Sequence, residues 1–325
     1  MPLRPRLTPA IADARRAIRE TFLAPELTAS KSVLLAVSGG PDSMALALAA
    51  GFELPKLGIK VSAAVINHNL QQGSKEIAAT AKERLADLGI ESVVIDIDVP
   101  KGQKGPEAQA RDARYSALEK HRAELYADYI LTAHNLDDQA ETVLLGLTRG
   151  SGLKSIAGMK LVDGFIVRPL LGIQKADLVQ ACIDSGVKFW EDPHNQDDVF
   201  TRVRVRKLMQ KIEAELGPGV SEALSRTAAL ASEVDDYLTS QAKGLITSAA
   251  SNEGYDVQVL AVAHPALRNK ALQMMALEHG AASISRSQVL GIAELITNWH
   301  GQKPLSLSGI TVERVRDQIL FQKSS

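Results

Sequence analysis

Between Ser32 and Val167 short apolar runs alternate with longer amphipathic stretches, a pattern that few folds accommodate. Ser32–Val37, Val61–Ile66, Ser92–Ile97 and Tyr129–Thr132 are short and mostly apolar, as strands buried on both faces are, and Phe165–Val167 is a fifth. Between them, Met44–Phe52, Ser74–Leu88, Glu107–Leu125 and a stretch ending at Leu147 read as helices, with a Gly/Pro/Lys-rich loop at Pro100–Pro106. Strands that alternate with helices build βαβ units, so the expected fold class is α/β with a doubly wound, mostly parallel sheet. Ligands of such sheets sit at the carboxyl ends of the strands. That directs attention to the loops after Val37, Ile66, Ile97 and Thr132.

Past Leu216 the pattern changes. Pro218-Gly219 breaks it, Val220–Leu238 reads as one helix, Ala266–Glu278 and Ser287–Asn298 as two more, and Ile310–Phe321 as a β-like tail. The expected organisation is a catalytic domain over 1–215, a helical linker over 216–240 and a small α+β domain over 241–325. The longest apolar runs, Val33–Val37 and Met44–Ala50, fall far short of the roughly 20 residues a membrane span needs. The first residues lack the apolar core of a secretory signal, so a cytoplasmic protein without a membrane partner is expected. A net charge of −1 argues against a general nucleic-acid coat but leaves room for a nucleic-acid enzyme with a local basic face. The single cysteine, Cys182, cannot form an internal disulfide; its Ala/Leu/Val-containing helical surroundings read as core.

The sharpest local signal is strand, then Ser38-Gly39-Gly40-Pro41-Asp42-Ser43, then helix. Gly39 and Gly40 lack the Cβ atoms that would block backbone approach to an anion, and Asp42 or Ser43 can cap the helix. The helix N-terminus then offers unpaired N–H groups to a phosphate. No lysine follows the glycines at Walker A spacing, and the dinucleotide glycine fingerprint is absent too. The plainer reading is a tight strand–helix turn. The loop resembles the SGGxDS pyrophosphate loop of the N-type ATP pyrophosphatases, which cleave ATP between its α and β phosphates.

A second signal is Thr132-Ala-His-Asn-Leu-Asp-Asp-Gln-Ala-Glu-Thr142. At 100° per residue, His134, Asp137, Asp138 and Glu141 share an arc of about 100°, opposite Leu136, Ala140, Val143 and Leu147. Carboxylates held together repel, so the cluster favours a cation, either Mg²⁺ or an ammonium. The plainer reading is a solvated face with acids at its N-terminal end.

With Leu147-Thr-Arg-Gly-Ser-Gly-Leu153 and Arg168-Pro-Leu-Leu171, this segment resembles the tRNA(Ile)-lysidine synthetase family, whose run is TAHxxDDQxET…RGxGxxG…RPLL. Glu107-Ala-Gln-Ala-Arg111-Asp-Ala-Arg114-Tyr115 is similar to the family's E-x-x-AR-x-x-RY helix, and Glu191-Asp192-Pro193-His194-Asn195 to its EDPSN segment. The resemblance spans about 32–206, and more weakly the small C-terminal domain. Two stretches depart from it. Ile66-Asn67-His68-Asn69-Leu70-Gln71 stands for the family's V-D-H-G-L-R, and Arg202-Val203-Arg204-Val205-Arg206 for its RNRxR.

The resemblance implies a ligase that adenylates the carbonyl oxygen at carbon 2 of the wobble cytidine in tRNA(Ile) with a CAU anticodon. Free L-lysine then displaces AMP. It implies ATP and Mg²⁺ as cofactors. Ser38, Gly39, Gly40, Pro41, Asp42, Ser43 and His68 would hold the nucleotide, and Asp42 and Asp138 the metal. Asp137, Glu141, Arg111 and His134 would be catalytic, and Arg202, Arg204 and Arg206 would contact tRNA. Trp190 reads as a structural residue or a base-stacking one. Oligomeric state, a homodimer included, is not specified by these motifs. Three other readings stand beside this one: a tRNA thiolase of the same superfamily, a non-catalytic nucleotide- or tRNA-binding protein, and a metal-dependent hydrolase. A lone cysteine outside every motif weighs against the first, the intact acidic cluster against the second, and the want of a second nearby histidine against the third.

Overall fold

The structure, a computed structural model, describes residues 7–67, 73–97, 106–150, 152–190 and 201–323. His68, Gln71 and the Glu191–Asn195 segment lie outside the described residues. The chain divides into two compact units: 1–145 with 158–226, and 146–157 with 227–325.

In the first unit, α1 (Pro9–Leu23) precedes β1 (Ser32–Val37) and α2 (Pro41–Glu53). A short 3₁₀ turn, Leu54–Leu57, leads to β2 (Lys60–Asn67), α3 (Ser74–Asp87), β3 (Glu91–Asp96), α4 (Pro106–Glu124) and β4 (Tyr129–Leu131). Then comes α5 (Leu136–Arg149), followed by the short α6 (Leu153–Ile156), which groups with the second unit. The first unit resumes with β5 (Val162–Asp163), β6 (Ile166–Val167), α7 (Lys175–Asp184) and α8 (Thr201–Leu216). The sheet order is β3-β2-β1-β4-β6-β5, parallel except for β5 against β6. The α/β reading of the sequence therefore holds, and the strand order reverses direction between β1 and β4, where a crevice opens.

Side chains of β1 explain why both faces are covered. Leu34 points with Ala64, Ile130 and Leu118 of α4 into one cluster. Val33 and Leu35 point into the other, with Met44, Leu46 and Ala50 of α2 and Phe22 of α1. This period of two is the strand's own. The sequence reading passes over α1, although Ile11, Ala14, Ile18 and Phe22 form a helical stripe and are all buried.

In the second unit, α9 (Val220–Ala249), which begins in the first, is followed by β7 (Tyr255–Asp256), α10 (Val257–Val262), α11 (Pro265–Glu278) and α12 (Arg286–Thr297). The chain ends in β8 (Leu305–Leu307), β9 (Ile310–Val315) and β10 (Gln318–Lys323). These strands form an antiparallel sheet ordered β7-β10-β9-β8, packed through Ile310, Val312 and Ile319 on Leu272, Met275 and Ile292. The β-like tail is thus a hairpin, and the helix read as Val220–Leu238 runs on to Ala249.

Candidate active site

The Ser38–Ser43 loop joins β1 to α2. Gly40 is the helix N-cap and supplies no side-chain cap; Pro41 stands in the first turn. Neither Asp42 nor Ser43 caps the helix, contrary to the sequence expectation. Ser43 Oγ instead accepts the Ser38 N–H at 3.2 Å and donates to the Gly40 carbonyl at 3.0 Å, so it ties the loop together. The first-turn N–H groups stay uncapped, which is what an anion site requires. Only Gly39 needs to be glycine for conformation. Its φ is +83°, and an added Cβ would lie 3.1 Å from Ala81 Cβ.

The loop borders a cavity of about 460 Å³ at the carboxyl ends of β1, β2 and β4. Its lining includes Ser38, Asp42 and Ser43 of the loop, the arginines Arg111, Arg114 and Arg202, and His134 and Asp138. The guanidinium groups of Arg111 and Arg114 lie 5.1 and 5.2 Å from the ring of Tyr115 on the same helix. His134 precedes α5 and so is not on its face; its Nδ1 pairs with Thr132 Oγ1 at 2.8 Å. Burial, followed by Arg168, Arg114, Arg111 and Arg202, lowers the His134 pKa to about 3, so the imidazole is neutral at neutral pH.

The acidic residues separate. Asp138 faces the cavity and closes a reciprocal cap with Asn135: Asn135 N–H to Asp138 Oδ2 is 3.1 Å, and Asp138 N–H to Asn135 Oδ1 is 3.0 Å. Glu141 is buried, and its Oε1 accepts Arg206 Nε at 2.8 Å, with Arg206 also 4.0 Å from Asp138. Burial raises the Glu141 pKa while Arg206 pulls it back. Asp137 turns elsewhere and accepts the Lys175 N–H at 2.8 Å. The solvated-face alternative therefore does not describe Glu141; of the three acids Asp138 lines the cavity, while Glu141 is buried against Arg206 and Asp137 is turned to α7.

Two carboxylate oxygens in this region, Asp42 Oδ1 and Glu141 Oε2, are buried without a hydrogen-bond partner. Orphaned oxygens of this kind suit a cation. Among the described residues no group of three or more His, Cys, Asp or Glu side chains is arranged to hold a metal. The orphaned carboxylate oxygens could hold Mg²⁺, which takes one or two carboxylates and completes its shell with phosphate oxygens and water. An ammonium would suit the same acids.

Arg202, Arg204 and Arg206 fall on α8. Arg202 lines the cavity, Arg204 is exposed and donates to Thr201 Oγ1 at 3.1 Å, and Arg206 is turned inward to Glu141. Val203 is buried, as an apolar residue on that face should be. Asn67 Nδ2 donates to Asp96 Oδ1 at 2.7 Å across the β2–β3 register; a carboxylate at 67 would confront the one at 96. Sequence reasoning missed Thr132 and the loop role of Trp190, whose N–H donates to the Gly39 carbonyl at 2.9 Å. It also missed Gln139, which grips both backbone groups of Met159. The sequence signal for Gln139 is its place in the DDQxET run, where neither charge nor apolar periodicity accounts for it. Cys182 is core, with burial pushing its thiol up to about 12.

Residues 12–212 match the PP-loop domain model, and residues 256–320 match the TilS substrate binding domain model. The chain is 44% identical to a tRNA(Ile)-lysidine synthase of Leifsonia xyli over 89% of each chain. It is 41% identical to one of Rhodococcus erythropolis, over 94% of this chain and 92% of that one. Among solved structures, the U34-tRNA thiolase NcsA from Methanococcus maripaludis, with its 4Fe–4S cluster, shares the fold. Its TM-score is 0.58 at 20% identity, over 67% of this chain and 78% of that one.

Proposed function

The chain belongs to the tRNA(Ile)-lysidine synthase family, and from there we propose how its cavity performs the family's reaction. It is an ATP-dependent ligase that joins lysine to carbon 2 of the wobble cytidine of CAU-anticodon tRNA(Ile). The observation that carries the reading is the meeting, in one cavity, of an uncapped glycine loop, three arginines and the carboxylates of Asp42 and Asp138.

In the first step the cytidine carbonyl oxygen attacks the α-phosphorus and pyrophosphate leaves. The Ser38–Ser43 backbone receives the pyrophosphate, and Arg111 and Arg202 meet the negative charge that grows there. Asp42 and Asp138, which both line the cavity, would hold Mg²⁺, which when bound neutralises phosphate charge. In the second step the lysine ε-amine attacks carbon 2, and AMP departs with the original oxygen. Free lysine is mostly ammonium at neutral pH, so a carboxylate must bind it and take its proton. We assign that work to Glu141, whose Oε2 is buried without a hydrogen-bond partner, and leave Asp138 to the metal. His134, neutral and held by Thr132, serves as a hydrogen-bond partner and not as a cation. The target base must leave its stack to enter. Arg204, exposed on α8, is assigned to tRNA phosphate, and the second unit to the tRNA body.

A thiolase reading gains nothing from Cys182, whose buried thiol is not available as thiolate. The test is direct: incubate the protein with unmodified CAU-anticodon tRNA(Ile), ATP and lysine, and analyse the digested nucleosides by mass spectrometry. A cytidine-plus-lysine product is expected, and its absence refutes the proposal.

A further inference from the structure

We propose that Asp137 is a positioning residue for the pyrophosphate loop, acting by pinning the start of α7, and that it is not a ligand of lysine. The inference rests on the ATP-using reading above. Helix α7 has Gln174 as its N-cap, and that side chain makes no capping bond. The missing acceptor comes from another helix: Asp137 Oδ2 accepts the Lys175 N–H at 2.8 Å. A carboxylate at a helix N-terminus is favoured by both the orphan N–H and the dipole. One residue earlier, Leu136 N–H donates to the Ile173 carbonyl at 2.9 Å. The beginnings of α5 and α7 are therefore stitched by two adjacent hydrogen bonds.

What α7 does explains why the stitch matters. It packs against α2, the helix that the loop opens, through buried Leu178 and Cys182. Cys182 Sγ donates to the Pro41 carbonyl at 3.4 Å. Beyond α7, the Trp190 N–H donates to the Gly39 carbonyl. Two carbonyls of the phosphate loop are thus occupied by donors from the α7–Trp190 segment, and a carbonyl so occupied is not free to turn toward a phosphate oxygen it would repel. Lys175 itself carries the charge that acts most strongly on Asp42. Asp138, one residue along, has the opposite fate and lines the cavity.

The experiment compares four single variants and one double. Asp137→Ala removes the acceptor; Asp137→Asn keeps one. Lys175→Pro deletes the N–H at a first-turn position where proline is tolerated, and Gln174, at φ −66° and ψ 146°, already has the backbone that precedes proline. Lys175→Ala removes the ammonium but keeps the N–H. ATP affinity is read by calorimetry on the folded protein, and lysine KM at saturating ATP and tRNA. If the loop is competent about one-tenth of the time without the stitch, Asp137→Ala weakens ATP binding about 10-fold and leaves lysine KM unchanged. Asp137→Asn should stay near wild type. Lys175→Pro should bind ATP more weakly than Lys175→Ala, and adding Asp137→Ala to Lys175→Pro should cost nothing further. Unchanged ATP affinity with a raised lysine KM in both Asp137 variants would overturn the inference. The calorimetry needs no product, so a wild-type protein that makes no lysidine would sink the proposed function and leave this test standing.

Discussion

Replacing Asp42 by Asn should stabilise the metal-free protein at about pH 8 while abolishing its use of ATP. Asp42 Oδ1 is buried without a partner. Burial, resisted by Lys175 and reinforced by Asp138, raises the carboxyl pKa from 3.8 to about 6. A carboxyl whose folded pKa exceeds its unfolded value contributes stability that is fully present below about pH 3.8 and lost as pH rises through about 6. At about 1.4 kcal/mol per pH unit, the ionised group therefore weighs on the folded state by about 3 kcal/mol near pH 8. Asn has no proton to lose and escapes this cost, so its melting temperature should exceed wild type by several degrees, at roughly 2–4 °C per kcal/mol. The assay is thermal unfolding of both proteins in EDTA between about pH 4 and pH 8. The gap should be small at the acid end, open through about pH 6 and then level off. A gap of equal size at every pH, or a wild type that is the more stable at about pH 8, would show that Asp42 is not held at a raised pKa by burial.

Glu141→Gln should keep formation of the adenylated tRNA but raise lysine KM by about 30-fold or more, from about 2–3 kcal/mol of lost charge pairing; normal lysine dependence would remove Glu141 from the amine site. Gly39→Ala should lower stability by about 1–2 kcal/mol because its φ of +83° is left-handed. Gly40→Ala, whose Cβ would meet no protein atom closer than 3.5 Å, should melt like wild type, so chemical unfolding of the pair tests the distinction. Charge reversal at Arg204 should flatten the salt dependence of tRNA binding by about 0.7–0.9 in slope for each RNA phosphate it no longer neutralises. Arg206→Glu should instead destabilise the fold, since it would set a third acid against Glu141 and Asp138; filter binding across a salt series, with melting curves, separates the two.

Much of the first unit is legible in the chain because its signals are local. A buried parallel strand must be apolar throughout and a phosphate turn must be small, and each leaves its mark within a few residues. For that reason β1 to β4, the loop at Ser38–Ser43 and the helices after them are readable to within a few residues. The helix α1 carries the same kind of local mark, an apolar stripe at Ile11, Ala14, Ile18 and Phe22.

Residue order alone dictates which chemical groups stand at the strand ends; which of them face one another is settled by packing. Asp137 and Asp138 are neighbours of identical chemistry, and helical periodicity puts both on one polar arc. The arrival of α7 takes Asp137 for its own N-terminus and leaves Asp138 to the cavity. Arg206 is 65 residues from Glu141 in the chain and reads as an RNA contact, yet α8 turns it inward to a buried carboxylate. His134 loses its place on the helix because α5 starts at Leu136, later than the polar pattern suggests. All three cases have one cause. A side chain's type limits what it can bind, but burial, charge pairing and the orphan N–H groups of helix ends are satisfied between elements distant in sequence, and those pairings exist only once the chain has packed.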